Sequence, residues 1–255
     1  MALFPRLRRP SALTRRAVPD RVDAVSDIRC ILYSSGLASI KRFHRQPFWD
    51  TEGYASDQAA RIEGPIRLES VADHSWKVAD AVLVLSDHFP WVDRCHALEL
   101  AVLHDKLELF TGDMSPIDAD GTGLTTHAFN PGRAAAKRRS ELEALDRYGK
   151  MLRPPARARQ TEMLTELILE ASDEARFVKA VDKLASLVFV IQVKQGCLDP
   201  RHVKFTLAYS SKAVDLFPPL RAHHDVLVEI FQQSLTGSLT LTDADEPFAD
   251  AYRCR

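Results

Sequence analysis

A His-Asp doublet, His104-Asp105, sits inside the apolar run Ala97–Phe110. Adjacent residues on a helix point about 100° apart. An ion beside the helix can still take an imidazole nitrogen and a carboxylate oxygen from those two directions. His74 lies in a second apolar run and Asp182 in a third. Four nitrogen and oxygen donors on three apolar segments suit a buried divalent-metal site. His74 shares its stripe with Val78, Val82 and Leu85, His104 with Ala97, Leu100 and Ala101, and Asp182 with Val178 and Ala185. Each has an ordinary alternative: a hydrogen-bonded core histidine, or an acid paired with an arginine. An ionised carboxylate on a buried stripe is costly unless it is paired or metal-bound.

Glu108 follows His104 by one turn and projects to the same side. It is placed to take a proton from a metal-bound water without ligating the ion; an exposed helix-end glutamate is the alternative. Asp113, after Gly112, reads as a helix cap from its position alone. Arg42, in Lys41-Arg42-Phe43-His44-Arg45, suits a phosphate clamp beside a carboxylate-rich site, or equally a solvated basic helix end. His127, His202, His223 and His224 fit no ligand spacing and are read as surface residues.

The elements that must position these groups are helical. Apolar spacing predicts helices over Ile28–Phe43, Val71–His88 and Val92–Phe110, then over about 132–149, 156–171, 174–195, 201–216 and 220–235. Segments 45–69 and 111–130 read as long loops at the mouth of the site, the first containing Trp49 and Tyr54. No stretch alternates with period two, so the chain reads as all-α.

With 255 residues, 45% hydrophobic and 27% charged, the composition is that of a globular protein. A net charge of −1 offers no footprint for nucleic acid or an anionic membrane. The cysteines, Cys30, Cys95, Cys197 and Cys254, contain no C-x-x-C pair and suit a reducing, cytoplasmic setting. No apolar stretch reaches the ~18 residues of a membrane span. The first 19 residues carry five arginines and no acid, as in a solvated basic arm. A P-loop, a G-x-S-x-G elbow and a Cys-His nucleophile setting are all missing.

Three segments in order carry a resemblance: Ser70-Val71-Ala72-Asp73-His74-Ser75-Trp76, then His104-Asp105-x-x-Glu108-x-x-Thr111-Gly112-Asp113, then Glu174 to Leu184 with Asp182 inside it. Together they resemble the HD-domain phosphohydrolases, in their 5′-deoxynucleotidase-like branch, over roughly residues 25–215. The resemblance implies an all-α, single-domain helical bundle with long active-site loops. It implies one divalent ion, manganese, cobalt or magnesium, held by His74, His104, Asp105 and Asp182. The implied reaction removes the 5′-phosphate of deoxyribonucleoside monophosphates. Glu108 matches the position that directs the attacking water, and Arg42 the phosphate-orienting arginine. Asp113, with Met114, Ser115 and Pro116, matches the segment that holds the sugar; Asp105 and Asp182 would also meet the substrate. The best-known bacterial members have Trp where this chain has Phe43, which bears on sugar preference. A homodimer acting on a small nucleotide is implied.

The domain reading is a basic arm at 1–22, one HD domain at 23–236 and a tail at 237–255. Two further readings stay open: hydrolysis of a nucleoside triphosphate or another phosphorylated metabolite on the same fold, and a nucleotide-sensing protein that keeps the shell without turnover.

Overall fold

The computed structural model describes residues 21–43 and 68–236. The basic arm, most of the first expected loop with Trp49 and Tyr54, and the C-terminal tail lie outside the described residues.

The first helix differs from the expectation of Ile28–Phe43. Helix α1 spans Arg21–Ser34, and a 3₁₀ turn follows at Ser35–Ser39. The Ser34-Ser35-Gly36 run has low helix propensity, and Ser35 Oγ donates to the Leu32 carbonyl instead (2.6 Å). The chain then extends. Lys41 forms an antiparallel bridge with Ser70, the Arg42 N–H donates to the Glu69 carbonyl (2.9 Å), and the Val71 N–H donates to Ile40 (2.9 Å). Arg42 therefore sits on a short extended segment, not on a helix end.

Helix α2 (Val71–Leu85) starts at a capping box. The Ser70 side chain accepts from the Asp73 N–H, and the Asp73 carboxylate accepts from the Ser70 N–H. That fixed start turns Val71, His74, Val78 and Val82 inward together. A 3₁₀ turn, Ser86–His88, ends the element.

The expected helix over Val92–Phe110 is broken. Helix α3 runs Arg94–Leu103 from an Asp93 cap, and a one-turn α4 runs Glu108–Thr111. Between them the bonds tighten to i−3: the Lys106 N–H goes to Leu103 (2.8 Å) and the Glu108 N–H to Asp105 (3.0 Å). The His-Asp doublet lies in this tightened turn.

Residues 112–130 form the expected long loop, built around the Asp118 carboxylate. It accepts from the Gly123 N–H (2.8 Å), the Thr125 N–H (3.0 Å) and the Thr125 hydroxyl (2.8 Å). Ile117 and Ala128 pin the loop to Phe205.

Helices α5 (Pro131–Gly149) and α6 (Pro154–Leu169) precede α7 (Asp173–Lys194), the central element. Ser172 caps α7, which packs against α2, α3 and α6. On its other side α7 meets α8 (Pro200–Ser210), α9 (Lys212–Leu216) and α10 (Arg221–Thr236). Its buried Phe177, Val178, Val181 and Leu184 stabilise the fold by about 1.5–3 kcal/mol each. The expected single helix over 201–216 breaks at Ser211. The hydroxyls of Ser210 and Ser211 turn back to the carbonyls of Leu207 and Ala208 there.

The surface reading of the extra histidines needs correction. His202 and His224 are buried, the latter against Ser210 (3.2 Å), and His127 lines a cavity shared with His104 and Asp182. Their positions on inward helix faces and on a loop folded over the core explain this. Among the described residues the fold is all-α, with one isolated bridge, and no helix there is long and apolar enough to cross a membrane.

Candidate metal centre and active site

Helices α2 and α7 and the turn after α3 bring His74, Asp182 and His104 to one point. One ligand atom from each lies within 4.8 Å of the others. His74 Nε2 is 2.9 Å from Asp182 Oδ1. Asp105 stands at the edge of this group, its Oδ2 3.1 Å from His104 Nε2 and 3.9 Å from His74 Nε2. All four residues predicted as ligands thus share one locus.

The chemistry of this donor set fits a divalent ion. His104 Nδ1 lies 2.7 Å from the Ala101 carbonyl. A carbonyl only accepts, so Nδ1 carries the proton and Nε2 presents its lone pair to the site. That Nε2 is buried without a hydrogen-bond partner, because the nearby Asp105 carboxylate oxygen, like the Nε2 lone pair, only accepts. An orphaned imidazole nitrogen facing two carboxylates is an arrangement an ion completes.

Burial opposes charge on Asp105, but His104 and Arg42 outweigh it and hold the carboxyl well below the usual range. Asp182 behaves likewise, with Lys183, His74 and Arg42 overcoming its burial. Both acids are held ionised, as ligands must be. The arginine partner weighed for Asp182 is also present: Arg42 Nη2 is 3.9 Å from Asp182 Oδ1. Arg42 Nη2 also donates to Ser186 (3.3 Å), while its Nη1 is buried without a hydrogen-bond partner, 3.7 Å from Glu69 Oε1.

Glu108 is half-buried, not an exposed helix end. Burial, reinforced by Asp105 and Asp113, pushes its carboxyl well above the ordinary value, against Arg42 and Lys137. Asp113 does not cap a helix. Its Oδ2 accepts from the Phe43 N–H (3.0 Å) and so ties the loop to the Arg42–Phe43 segment. Phe43 adopts φ 61°, a conformation rare for an aromatic residue, and stacks on Phe189 at 5.1 Å.

A cavity of about 430 Å³ joins these groups. Arg42, Phe43, Glu108, Asp113, Met114 and Pro116 line it. Ser115 turns aside: its hydroxyl donates to the Ile117 carbonyl (2.7 Å), and the residue is not part of the lining.

Sequence reasoning missed two residues. Glu69 is buried behind His74, with Oε1 3.3 Å from Nδ1, and its Oε2 accepts from Lys77 (2.8 Å). Lys183 bonds Asp182 Oδ2 at 2.6 Å. Their only sequence signal is adjacency, one preceding the Ser70 cap and the other following Asp182.

The HD domain family profile matches residues 58–221 of this chain. The chain belongs to the HD domain family. Human 5′-deoxynucleotidase HDDC2 is 32% identical over 117 residues, 46% of this chain and 50% of that protein. The 5′-deoxynucleotidase hdd1 of Schizosaccharomyces pombe is 29% identical over 138 residues, 52% of this chain and 61% of that one. The chain spans about half the length of the curated relatives it matches. Among solved structures, a predicted metal-dependent phosphohydrolase from Magnetospirillum magnetotacticum gives a TM-score of 0.59 at 20% identity, covering 83% of this chain and 94% of that one. A conserved hypothetical protein from Pyrococcus furiosus gives 0.51 at 21%, covering 80% and 99%. These two likenesses show the fold of this HD domain.

Proposed function

We propose that this HD domain protein is a metal-dependent phosphohydrolase that removes the 5′-phosphate from (deoxy)nucleoside monophosphates. The observation that carries the reading is the convergence of His74, His104, Asp105 and Asp182 at one point, the last three of them lining a cavity with Arg42 and Glu108. The similarity to 5′-deoxynucleotidases supports the choice of substrate.

An ion held by these four residues supplies Lewis acidity and a water of lowered pKa. Manganese, cobalt and magnesium are the ions proposed. Arg42, held fully cationic by Asp105, Asp182, Glu69 and Asp113 despite its burial, orients the phosphate and balances charge as it develops. Glu108 receives the proton of the attacking water, since burial raises its carboxyl well above the ordinary value and so makes it a stronger base. Asp113 holds the Phe43 backbone, so the sugar would rest between Phe43 and the Met114–Pro116 segment. Water oxygen bonds to phosphorus, the bond from phosphorus to the 5′-oxygen breaks, that oxygen takes a proton from solvent and leaves as the nucleoside hydroxyl, and Glu108 returns its proton to solvent.

Cys30 and Cys95 are free thiols, which supports a cytoplasmic setting. The homodimer belongs to the same proposal, and sedimentation of the purified chain decides it. Stripping metal with a chelator and assaying dAMP tests the activity. Orthophosphate release that disappears on stripping and returns with manganese is expected. Binding of metal and dAMP without release would favour the sensing reading.

A further inference from the structure

The two oxygens of Asp182 divide the cavity. Oδ1 faces His74 and Arg42, on the side where Phe43 is tied to Asp113. Oδ2 faces Lys183. Besides Lys183 the same cavity is lined by further lysines, together a lysine lobe, to which the proposed reaction assigns no role. Lys137 enters it from α5, Lys179 and Lys183 from α7, and Lys212 from α9, with His127 from the loop. Lys183 Nζ lies 5.0 Å from the Tyr209 ring centre and Lys212 Nζ 5.9 Å from the same centre.

Three of these four lysines have a carboxylate partner, and Lys212 does not. Lys137 pairs with Glu141, and Lys179 lies 3.5 Å from Glu170. Lys183 shares Asp182 with the proposed ion. Lys212 has no carboxylate in ion-pair contact among the described residues, and its Nζ donates to the Ala128 carbonyl (2.6 Å). Asp215, also in the lining, acts on Lys212 only at longer range. Like charges gathered in a half-buried lobe repel unless an anion joins them. The titrating groups divide: burial opposes charge on Lys137, but Glu141 outweighs it and raises the amine, while other groups shift the opposite way. Burial, then Lys137, Lys183 and Lys212, push His127 down to about 3. Burial and neighbouring lysines also hold Lys179 and Lys212 below the usual amine value.

We infer that this lysine lobe is a second anion subsite, holding a phosphate group of the substrate other than the one beside the metal donors. The inference rests on the nucleotide-hydrolase reading and extends it to nucleotides with at least two phosphate groups. Such a phosphate has two sources: the distal group of a 5′-diphosphate, or a 3′-phosphate.

The test compares dAMP, dADP and deoxyadenosine 3′,5′-bisphosphate on the full chain with manganese. KM is read where there is turnover, equilibrium Kd where there is none, and orthophosphate is recorded throughout. The second phosphate is expected to tighten binding tenfold or more in at least one of the two doubly phosphorylated ligands, and whichever gains identifies the source. Lys212→Met should remove most of that gain and Lys212→Arg should keep it, with melting temperatures showing that both variants fold. Lys137→Gln provides a second, independent cut. Equal affinity for all three ligands, or a gain that survives both Lys212→Met and Lys137→Gln, would overturn the subsite. A failure of dAMP to release orthophosphate would instead strike the monophosphatase reading, while the binding comparison still decides the lobe.

Discussion

Glu69 Oε1 lies 3.3 Å from His74 Nδ1, across the imidazole from Asp182, whose Oδ1 is 2.9 Å from Nε2. The same Glu69 oxygen is 3.7 Å from Arg42 Nη1. One buried carboxylate therefore backs both a metal-donor histidine and the phosphate-facing arginine. Carboxylates behind ligand imidazoles fix the tautomer and raise donor basicity. Glu69→Gln keeps the shape and removes the charge. It should weaken manganese binding about 10–100-fold by calorimetry, in a protein that still melts cooperatively. An unchanged Kd would reduce Glu69 to a structural role.

Metal binding and turnover should separate between two neighbouring acids. Asp105→Ala is expected to lose both, since it removes a donor beside both imidazoles. Glu108→Gln should retain manganese and lose about 10²–10⁴-fold in kcat, the usual contribution of a positioned acid–base group. Normal turnover in Glu108→Gln would take Glu108 out of the mechanism.

The 112–130 loop should loosen in acid. Burial raises the Asp118 carboxyl, but the bonds from Gly123 and Thr125 together outweigh it and hold the group below the ordinary value. A carboxylate depressed in the folded state stabilises above its unfolded pKa of about 3.9, and that contribution is lost as pH falls through the folded value. Amide exchange at Gly123 and Thr125, taken relative to the intrinsic rate at each pH, should therefore accelerate below about pH 4. Asp118→Ala should accelerate it at neutral pH, with a cost of about 1–2 kcal/mol for the lost bonds. Exchange that is flat with pH in the native chain would contradict this.

Gly196, just past α7, takes φ +82° against the backbone of α10, where an added Cβ would meet the Ser234 carbonyl oxygen at 2.0 Å. Gly196→Ala therefore combines left-handed strain with a clash that only backbone movement relieves. It should destabilise by about 2 kcal/mol or more, seen as a lowered melting temperature. Metal affinity should follow, because α7 carries Asp182. A melting temperature within a degree of the native value would show that α10 shifts freely.

The helices of the second half were legible because caps and breakers bracket clear apolar stripes: Asn130-Pro131, Ser172 and Asp199-Pro200 each start one. The donors His74, His104 and Asp182 were legible as polar residues on those stripes. The break at His104-Asp105 was not. It arises from the tightened turn and the His104–Ala101 bond, and apolar spacing runs across it unchanged. The first helix misled for the opposite reason. Ile28, Ile31 and Leu32 have helical spacing yet stay 54%, 62% and 67% exposed, so periodicity there does not mark a core. Asp113 bonds a backbone N–H 70 residues away, and Glu69 and the lysine lobe depend on contacts between elements. Local pattern carries no trace of these.

The most direct test is to see the ion. Crystals of the full chain soaked in manganese, with data collected at a wavelength where manganese scatters anomalously, should show one strong peak. It should fall between His74 Nε2, His104 Nε2, Asp105 and Asp182, at bonding distances of about 2.0–2.2 Å from the donor atoms. A peak elsewhere, or none there while manganese still binds in solution, would contradict the site from which the proposed chemistry is built.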